Sequence, residues 1–479
     1  MLFPYSAYLL AVLPIVSSTV LPYGQRPFTF RKDSLTASHD EEFPIVWQDE
    51  RTCNTDNPQF TGRVPLSAGK SLFFWFTESK EDATERPTIL WLNGGPGASS
   101  LPGLFEEIGP CELTSGLNTT ANPYSWANFA NLLFLDQPAG VGFSTTADDG
   151  SYPVTLAEAS DDFAAFLSRF VKQFPQYFQH GFYIAGESFG GRYVPRFTAD
   201  LVRRQLAGSA DAFPVQVRGI VLANALVDGT YSSLGHYELF CTDSPTADLL
   251  RLNATACDAI AAAMPEAERL QRVCQATYDA SLCQAAIEFG QRNLYKYFQE
   301  QVDALKHSPY DLRLGCDVPP ICIPQSEYST GDYFNKPEIQ SLLGIVEYQK
   351  YVSINFDLNA NWSTRPEIML PTTREVSYLV DVAKVRFLVL NGNYDVIINS
   401  PGIFREWTDL PWHGNIRFRL DPKRDWYFRD SKGALQKGGQ LKGQGQQVQV
   451  AGVDNAGHMS PGDQKEAVAY LVHEWIQQS

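Results

Sequence analysis

The chain is short of positive charge: 38 Lys and Arg face 54 Asp and Glu in 479 residues, a formal net charge of −16. Such a balance repels phosphate backbones, and no basic cluster with interleaved aromatics offsets it, so nucleic acid is not an expected partner. The stretch 432–445, with lysines spread among Gly and Gln, reads as a solvated hairpin or loop. Charged residues amount to only 19%, against 44% apolar and 13% aromatic. That excludes a disordered, solvating polypeptide and provides for a large core, in one large domain or two to three smaller ones. Beyond the N-terminus no run reaches the roughly 18 continuous apolar residues of a membrane span, and the C-terminal residues are polar. No stable membrane anchor is expected. C-x-x-C pairs are missing, and no histidine stands near a cysteine at zinc spacing, which argues against structural zinc. Neither a metal nor a cofactor is expected, and no internal repeat is present.

What is there begins with an apolar run from Ala7 to Val16, broken by Pro14 and followed by Ser17 and Ser18. No Lys or Arg precedes it; the first basic residue is Arg26. The run predicts a secretory signal peptide over 1–18, the alternative being a buried N-terminal strand. Eight cysteines, an even number, agree with an oxidising compartment. Three sequons, at Asn118, Asn253 and Asn361, are candidate glycosylation sites. Together these features predict the secretory pathway, with a secreted or vacuolar destination.

Short apolar runs read as buried strands: Ser71–Phe76, Thr88–Leu92, Leu132–Leu135, Phe182–Ala185, Gly219–Leu222 and Val385–Leu390. From Leu156, Phe163, Phe166, Leu167, Phe170, Val171 and Phe174 recur at helical steps, with a Thr155/Glu158 capping box before them and Pro175 as a stop. Val468, Leu471, Val472, Trp475 and Ile476 repeat that spacing near the C-terminus. Continuous apolar strands alternating with amphipathic helices predict an α/β protein with a mostly parallel central sheet covered on both faces. Between about Thr230 and Gln340 strand-like runs vanish, helical stretches appear and six cysteines gather, which predicts a helical, disulfide-stapled insertion. The expected division is an N-terminal arm or propeptide over 19–50, a core over 51–229, the insertion over 230–340 and a second core part over 341–479.

Gly186-Glu187-Ser188-Phe189-Gly190-Gly191 follows the run Phe182–Ala185 and precedes a segment able to start a helix. A Gly-x-Ser-x-Gly between strand and helix is the nucleophile-elbow pattern, in which a tight turn lifts a serine hydroxyl clear of the sheet. A serine needs a base, usually a histidine oriented by a carboxylate, in the chain order Ser, Asp or Glu, His. His458, in a glycine- and proline-bounded loop after Val448–Val450, fits the base better than His413 or His473. Asp395 lies just past the strand ending at Leu390, whereas its competitors Asp381 and Asp421 follow no comparable strand. The oxyanion calls for two N–H donors: the Phe189 amide, and one from the glycine loop Asn93–Gly97. Each residue alone also has a plain structural explanation, as a turn, a cap or a surface side chain.

Trp91-Leu92-Asn93-Gly94-Gly95-Pro96-Gly97, Asp136-Gln137-Pro138, Gly186–Gly191 and Gly457-His458-Met459 together resemble the serine carboxypeptidases, from about Phe60 to the C-terminus. The resemblance implies an α/β-hydrolase fold with a helical insertion, and release of C-terminal amino acids from peptides at acidic pH. It also implies a triad of Ser188, Asp395 and His458, and an oxyanion hole from the amides of Gly95 and Phe189. Asn93, Glu107 and Glu187 match the residues that bind the substrate's terminal carboxylate. An acyltransferase or esterase on the same triad is the alternative, and a catalytically silent binding protein a more distant one. Ala98 and Ile354 stand where the family commonly has a cysteine pair. The resemblance then implies Cys53–Cys111, Cys241–Cys257, Cys274–Cys283 and Cys316–Cys322. Phe189 replaces a usual tyrosine, and Asn393 a usual aspartate.

Overall fold

The computed structural model describes residues 42–478, apart from 115, 149–150, 210–211, 317–321 and 323–324. The expected signal peptide and most of the N-terminal arm lie outside these residues. Among the described residues thirteen strands are formed: β1 (Ile45–Gln48), β2 (Gln59–Pro65), β3 (Ser71–Thr77), β4 (Thr88–Leu92), β5 (Cys111–Thr114), β6 (Asn118–Ala121), β7 (Asn131–Leu135), β8 (Phe182–Glu187), β9 (Val217–Ala223), β10 (Arg386–Gly392), β11 (Arg424–Arg429), β12 (Leu435–Lys442) and β13 (Val448–Val453). β5 and β6 make a separate hairpin. The other eleven form one sheet in the order β1-β2-β3-β7-β4-β8-β9-β10-β13-β12-β11. Its centre, from β7 to β13, is parallel, and antiparallel strands close both flanks.

The apolar runs explain that architecture. Along β3, Leu72, Phe74 and Phe76 point into one core while Phe73 and Trp75 point into the other. β4 does the same with Leu90 and Leu92 against Ile89 and Trp91. A strand buried on both faces must be apolar at every position, because successive side chains face opposite ways. Helix α1 (Leu156–Gln173) and helix α2 (Gly190–Ala207) cover the first face. Phe170 meets Phe74 edge-on at 5.1 Å, and Phe163 meets Phe197 at 4.9 Å. Each buried ring contributes about 1.5–3 kcal/mol of transfer free energy. The helix Lys465–Gln477 covers the other face through Val468, Leu471, Val472 and Trp475. The capping box of α1 is formed: Glu158 N–H donates to Thr155 Oγ1 at 3.2 Å, and Thr155 N–H to Glu158 Oε2 at 3.1 Å.

The stretch 432–445, expected as a solvated hairpin or loop, forms the turn and second arm of the β11–β12 hairpin, but it is solvated only in part. Its middle is β12, a strand between β11 and β13, and Gly438, Gly439, Leu441 and Lys442 are buried. Between Ala223 and Arg386 no strand occurs among the described residues, and helices fill the interval. Cys241–Cys257 and Cys274–Cys283 staple those helices, Cys316–Cys322 closes a short loop, and Cys53–Cys111 ties the segment between β1 and β2 to β5. Ala98 and Ile354 face each other in an isolated antiparallel bridge.

Asp136 directly follows β7, is buried, and accepts hydrogen bonds from Ser99 Oγ (2.6 Å), Ser100 N–H (2.9 Å) and Phe143 N–H (2.9 Å). Burial outweighs these donors and pushes its pKa up to about 6, from an ordinary 3.8. The folded state therefore binds this proton more tightly than the unfolded chain, and stability falls as pH rises from about 4 to 6. The loss from this one group is expected to reach about 3 kcal/mol. Urea unfolding at several pH values should show a decline that Asp136→Asn flattens; identical pH slopes in parent and variant would rule the effect out.

Candidate active site

The parallel strands of the centre bring their C-terminal ends to one edge, and the polar residues following them meet there. β8 runs straight into Ser188, whose φ of 55° is left-handed, a strained conformation for a residue with a Cβ. Its N–H is shared between the carbonyls of Ala223 (3.2 Å) and Asn224 (3.1 Å), and its carbonyl takes the N–H groups of Gly191 (3.0 Å) and Leu226 (2.8 Å). A Cβ on Gly191 would lie 2.6 Å from Leu226 N, so glycine is the residue the crossing with β9 permits. α2 starts at Gly190, directly after the turn, so the positive end of its dipole lies at the elbow.

Asp395 follows β10 through Asn393 and Tyr394 and is completely buried. Its Oδ2 lies 2.7 Å from His458 Nδ1 and also accepts Asn224 Nδ2 at 2.8 Å; Ile398 N–H donates to Oδ1 at 3.1 Å. His458, in the loop after β13, is 6% exposed, and Asn93 beyond β4 is 5% exposed. The glycine loop after β4 leans on the elbow: a Cβ on Gly94 would sit 2.8 Å from Ser188 Cβ and 2.7 Å from Glu187 O.

Beside the elbow lies a second polar cluster. Asn93 Nδ2 reaches both Glu107 Oε1 and Glu187 Oε1 at 3.3 Å, while its own Oδ1 is held by Trp91 Nε1 (2.8 Å) and Gly103 N–H (3.2 Å). Both glutamates are buried. Burial pushes the Glu107 carboxyl above its ordinary range, against the opposing pull of its hydrogen bonds to Glu187 and Asn93. Carboxyl groups this close share a proton more readily than two charges.

The competing residues stand elsewhere. His473 stacks on Phe129 at 4.7 Å, Asp381 accepts the His413 N–H, and Asp421 pairs with Arg424 at 2.8 Å. Sequence reasoning missed the supports. Asn224, just past β9, carries no motif; its only signal is a polar residue at the end of a parallel strand. Tyr310 and Arg313 come from the helical interval. The Tyr310 carbonyl accepts the His458 N–H at 2.7 Å, and its ring packs edge-on against the imidazole at 5.1 Å. Arg313 donates to Asn455 O (2.6 Å) and Asp463 Oδ2 (3.1 Å), and Asp463 in turn accepts the Gly457 N–H at 2.6 Å. Asn118 is exposed on β6, Asn253 caps the helix Ala254–Thr277 through its side-chain oxygen, and Asn361 is half-buried on the helix Phe356–Ser363.

A left-handed serine between a parallel strand and a helix, with a buried His–Asp pair at the same sheet edge, defines an α/β-hydrolase. The family model described as serine carboxypeptidase matches residues 50–478. A "Carboxypeptidase Y homolog A" from Paracoccidioides brasiliensis is 31% identical over 420 residues, 87% of this chain and 72% of that one. Another from Coccidioides posadasii is 33% identical over 410 residues, covering 85% and 72%. In fold, the chain is similar to the crystal structure of Kex1(delta)p, a prohormone-processing carboxypeptidase from Saccharomyces cerevisiae. The TM-score is 0.73 at 21% identity, covering 92% of this chain and 96% of that one. The chain belongs to the serine carboxypeptidase family and is a serine-type carboxypeptidase.

Proposed function

We propose that Ser188, His458 and Asp395 are the triad of this carboxypeptidase, and that the amides of Gly95 and Phe189 form its oxyanion hole. Ser188 Oγ attacks the carbonyl of the last peptide bond while His458 takes the hydroxyl proton; Asp395 holds the imidazole through Nδ1. The tetrahedral oxygen is stabilised by the two amides. His458 then gives its proton to the departing amino acid, and water, activated by the same histidine, hydrolyses the acyl-enzyme. The chain divides into a core over 51–229, a helical insertion over 230–340 and a second core part over 341–479. Disulfides and the exposed sequons at Asn118 and Asn253 support a life in the secretory pathway, secreted or vacuolar, with the C-termini of peptides and proteins as substrates.

The observation that carries the exopeptidase assignment is the buried Glu107–Asn93–Glu187 cluster, which abuts the nucleophile through Glu187. A protonated member of the pair can donate to a substrate's terminal carboxylate, and the Asn93 amide adds a donor. Once both glutamates are ionised they repel that carboxylate. KM for a blocked dipeptide is therefore expected to rise about tenfold or more between pH 5 and 8. The corresponding C-terminal amide should show no such rise, and Glu107→Gln, which cannot ionise, should flatten it. A KM that is flat with pH in the parent would sink the assignment of this cluster.

A further inference from the structure

Asn224 touches each of the loops that carry Ser188, Asp395 and His458. It is fully buried, with a left-handed φ of 44°, a conformation that Asn enters at lower cost than most side chains. This turn lets its backbone stay in the sheet edge while its side chain crosses it. The N–H donates to Leu390 O on β10 at 2.8 Å, and the carbonyl accepts the Ser188 N–H at 3.1 Å. The carboxamide Nδ2 donates to Asp395 Oδ2 (2.8 Å) and to Gly457 O (3.2 Å), and Oδ1 accepts the Gly392 N–H (3.2 Å). The opposite amide orientation would set oxygen against a carboxylate and a carbonyl, so the surroundings dictate this one.

We propose that Asn224 is a positioning residue, whose carboxamide fixes the Asp395 carboxylate on His458 and sets the elbow in register with both partner loops. The assignment rests on the triad proposed above. Two donors, Asn224 Nδ2 and His458 Nδ1, converge on the same carboxylate oxygen, and together with the Ile398 N–H they leave the carboxyl plane little freedom to rotate. The titratable and charged groups around the amide are Asp395 after β10 and His458 after β13. Behind Gly457 lie Asp311 and Arg313 from the helical interval, and Asp463 on the Gly457 N–H.

Asn224→Gly keeps the left-handed backbone and removes the amide; Asn224→Asp keeps the size and removes the donor. Both are expected to lower kcat about 10²-fold with KM within about threefold of the parent, the size of effect that misplacing a catalytic group produces. The two should then part company with pH. In Asn224→Asp the deficit is expected to shrink as pH falls, because burial and the adjacent Asp395 charge favour a proton on the new carboxyl, which can then donate to Asp395. Asn224→Gly should show no such recovery. A kcat within about threefold of the parent in Asn224→Gly, or parallel pH profiles for the two variants, would overturn the proposal. Should Asn224→Gly fail to fold in a thermal melt, recovery or its absence in Asn224→Asp decides on the same criterion. Parent activity that survives Ser188→Ala would overturn the triad and this assignment with it. A Ser188-dependent parent with an unimpaired Asn224→Gly would overturn the Asn224 assignment alone.

Discussion

Replacing Ser188 with alanine is expected to lower kcat for a blocked dipeptide by about 10⁴- to 10⁶-fold while leaving KM nearly unchanged. The hydroxyl is the only part of Ser188 that the change removes. The left-handed turn is held by backbone bonds to Ala223, Asn224, Gly191 and Leu226, none of which needs Oγ. A methyl in place of CH₂OH even relieves no strain, since φ stays at 55° for either residue. The fold, the carboxylate cluster and the amide donors should therefore survive, and the residual rate is what they alone supply. Steady-state kinetics beside a thermal melt separates the cases. A folded variant that retains more than about 1% of parental kcat would mean that another group is the nucleophile.

Alanine at Gly94 is expected to be the most damaging change that leaves every triad side chain in place. Its Cβ would fall 2.7 Å from Glu187 O and 2.8 Å from Ser188 Cβ, and nearer still to the Phe189 amide nitrogen. These are backbone and first-carbon atoms locked in the elbow, so none can rotate away. Either the glycine loop or the elbow must back off, and the donors assigned to Gly95 and Phe189 then separate from the oxygen they serve. Loss of one such donor costs about 10²- to 10³-fold in kcat. Labelling of Ser188 by an organophosphonate should slow in parallel, because that adduct needs the same donors. Parental kcat and labelling rate in Gly94→Ala would show that the loop is mere packing.

How far the amino-acid sequence reveals this molecule depends on how many neighbours a segment has. β3, β4 and β10 are buried on both faces, so apolar residues fill them and their positions can be read directly. β12, Leu435–Lys442, is rich in Gly, Gln and Lys because it lies near a wet flank, and its strand character comes from pairing with β11 and β13. β2, Gln59–Pro65, is polar for its position and buried by β1 and β3. The same contrast holds at the site. Ser188, Asp395 and His458 sit in motifs at strand ends and can be picked out. Asn224 stands between two alanines with nothing to mark it. Arg313 meets Asn455 across 142 residues, a distance no local pattern spans.

That last contact has a consequence for how activity is lost. The histidine loop is gripped by Tyr310 and Arg313, while Leu312 N–H and Pro309 O hold the residues flanking Asp395. On the proposed triad, a change that loosens residues 309–313 is expected to cost activity before it costs the sheet, since this one segment braces the neighbours of both partners proposed for Ser188.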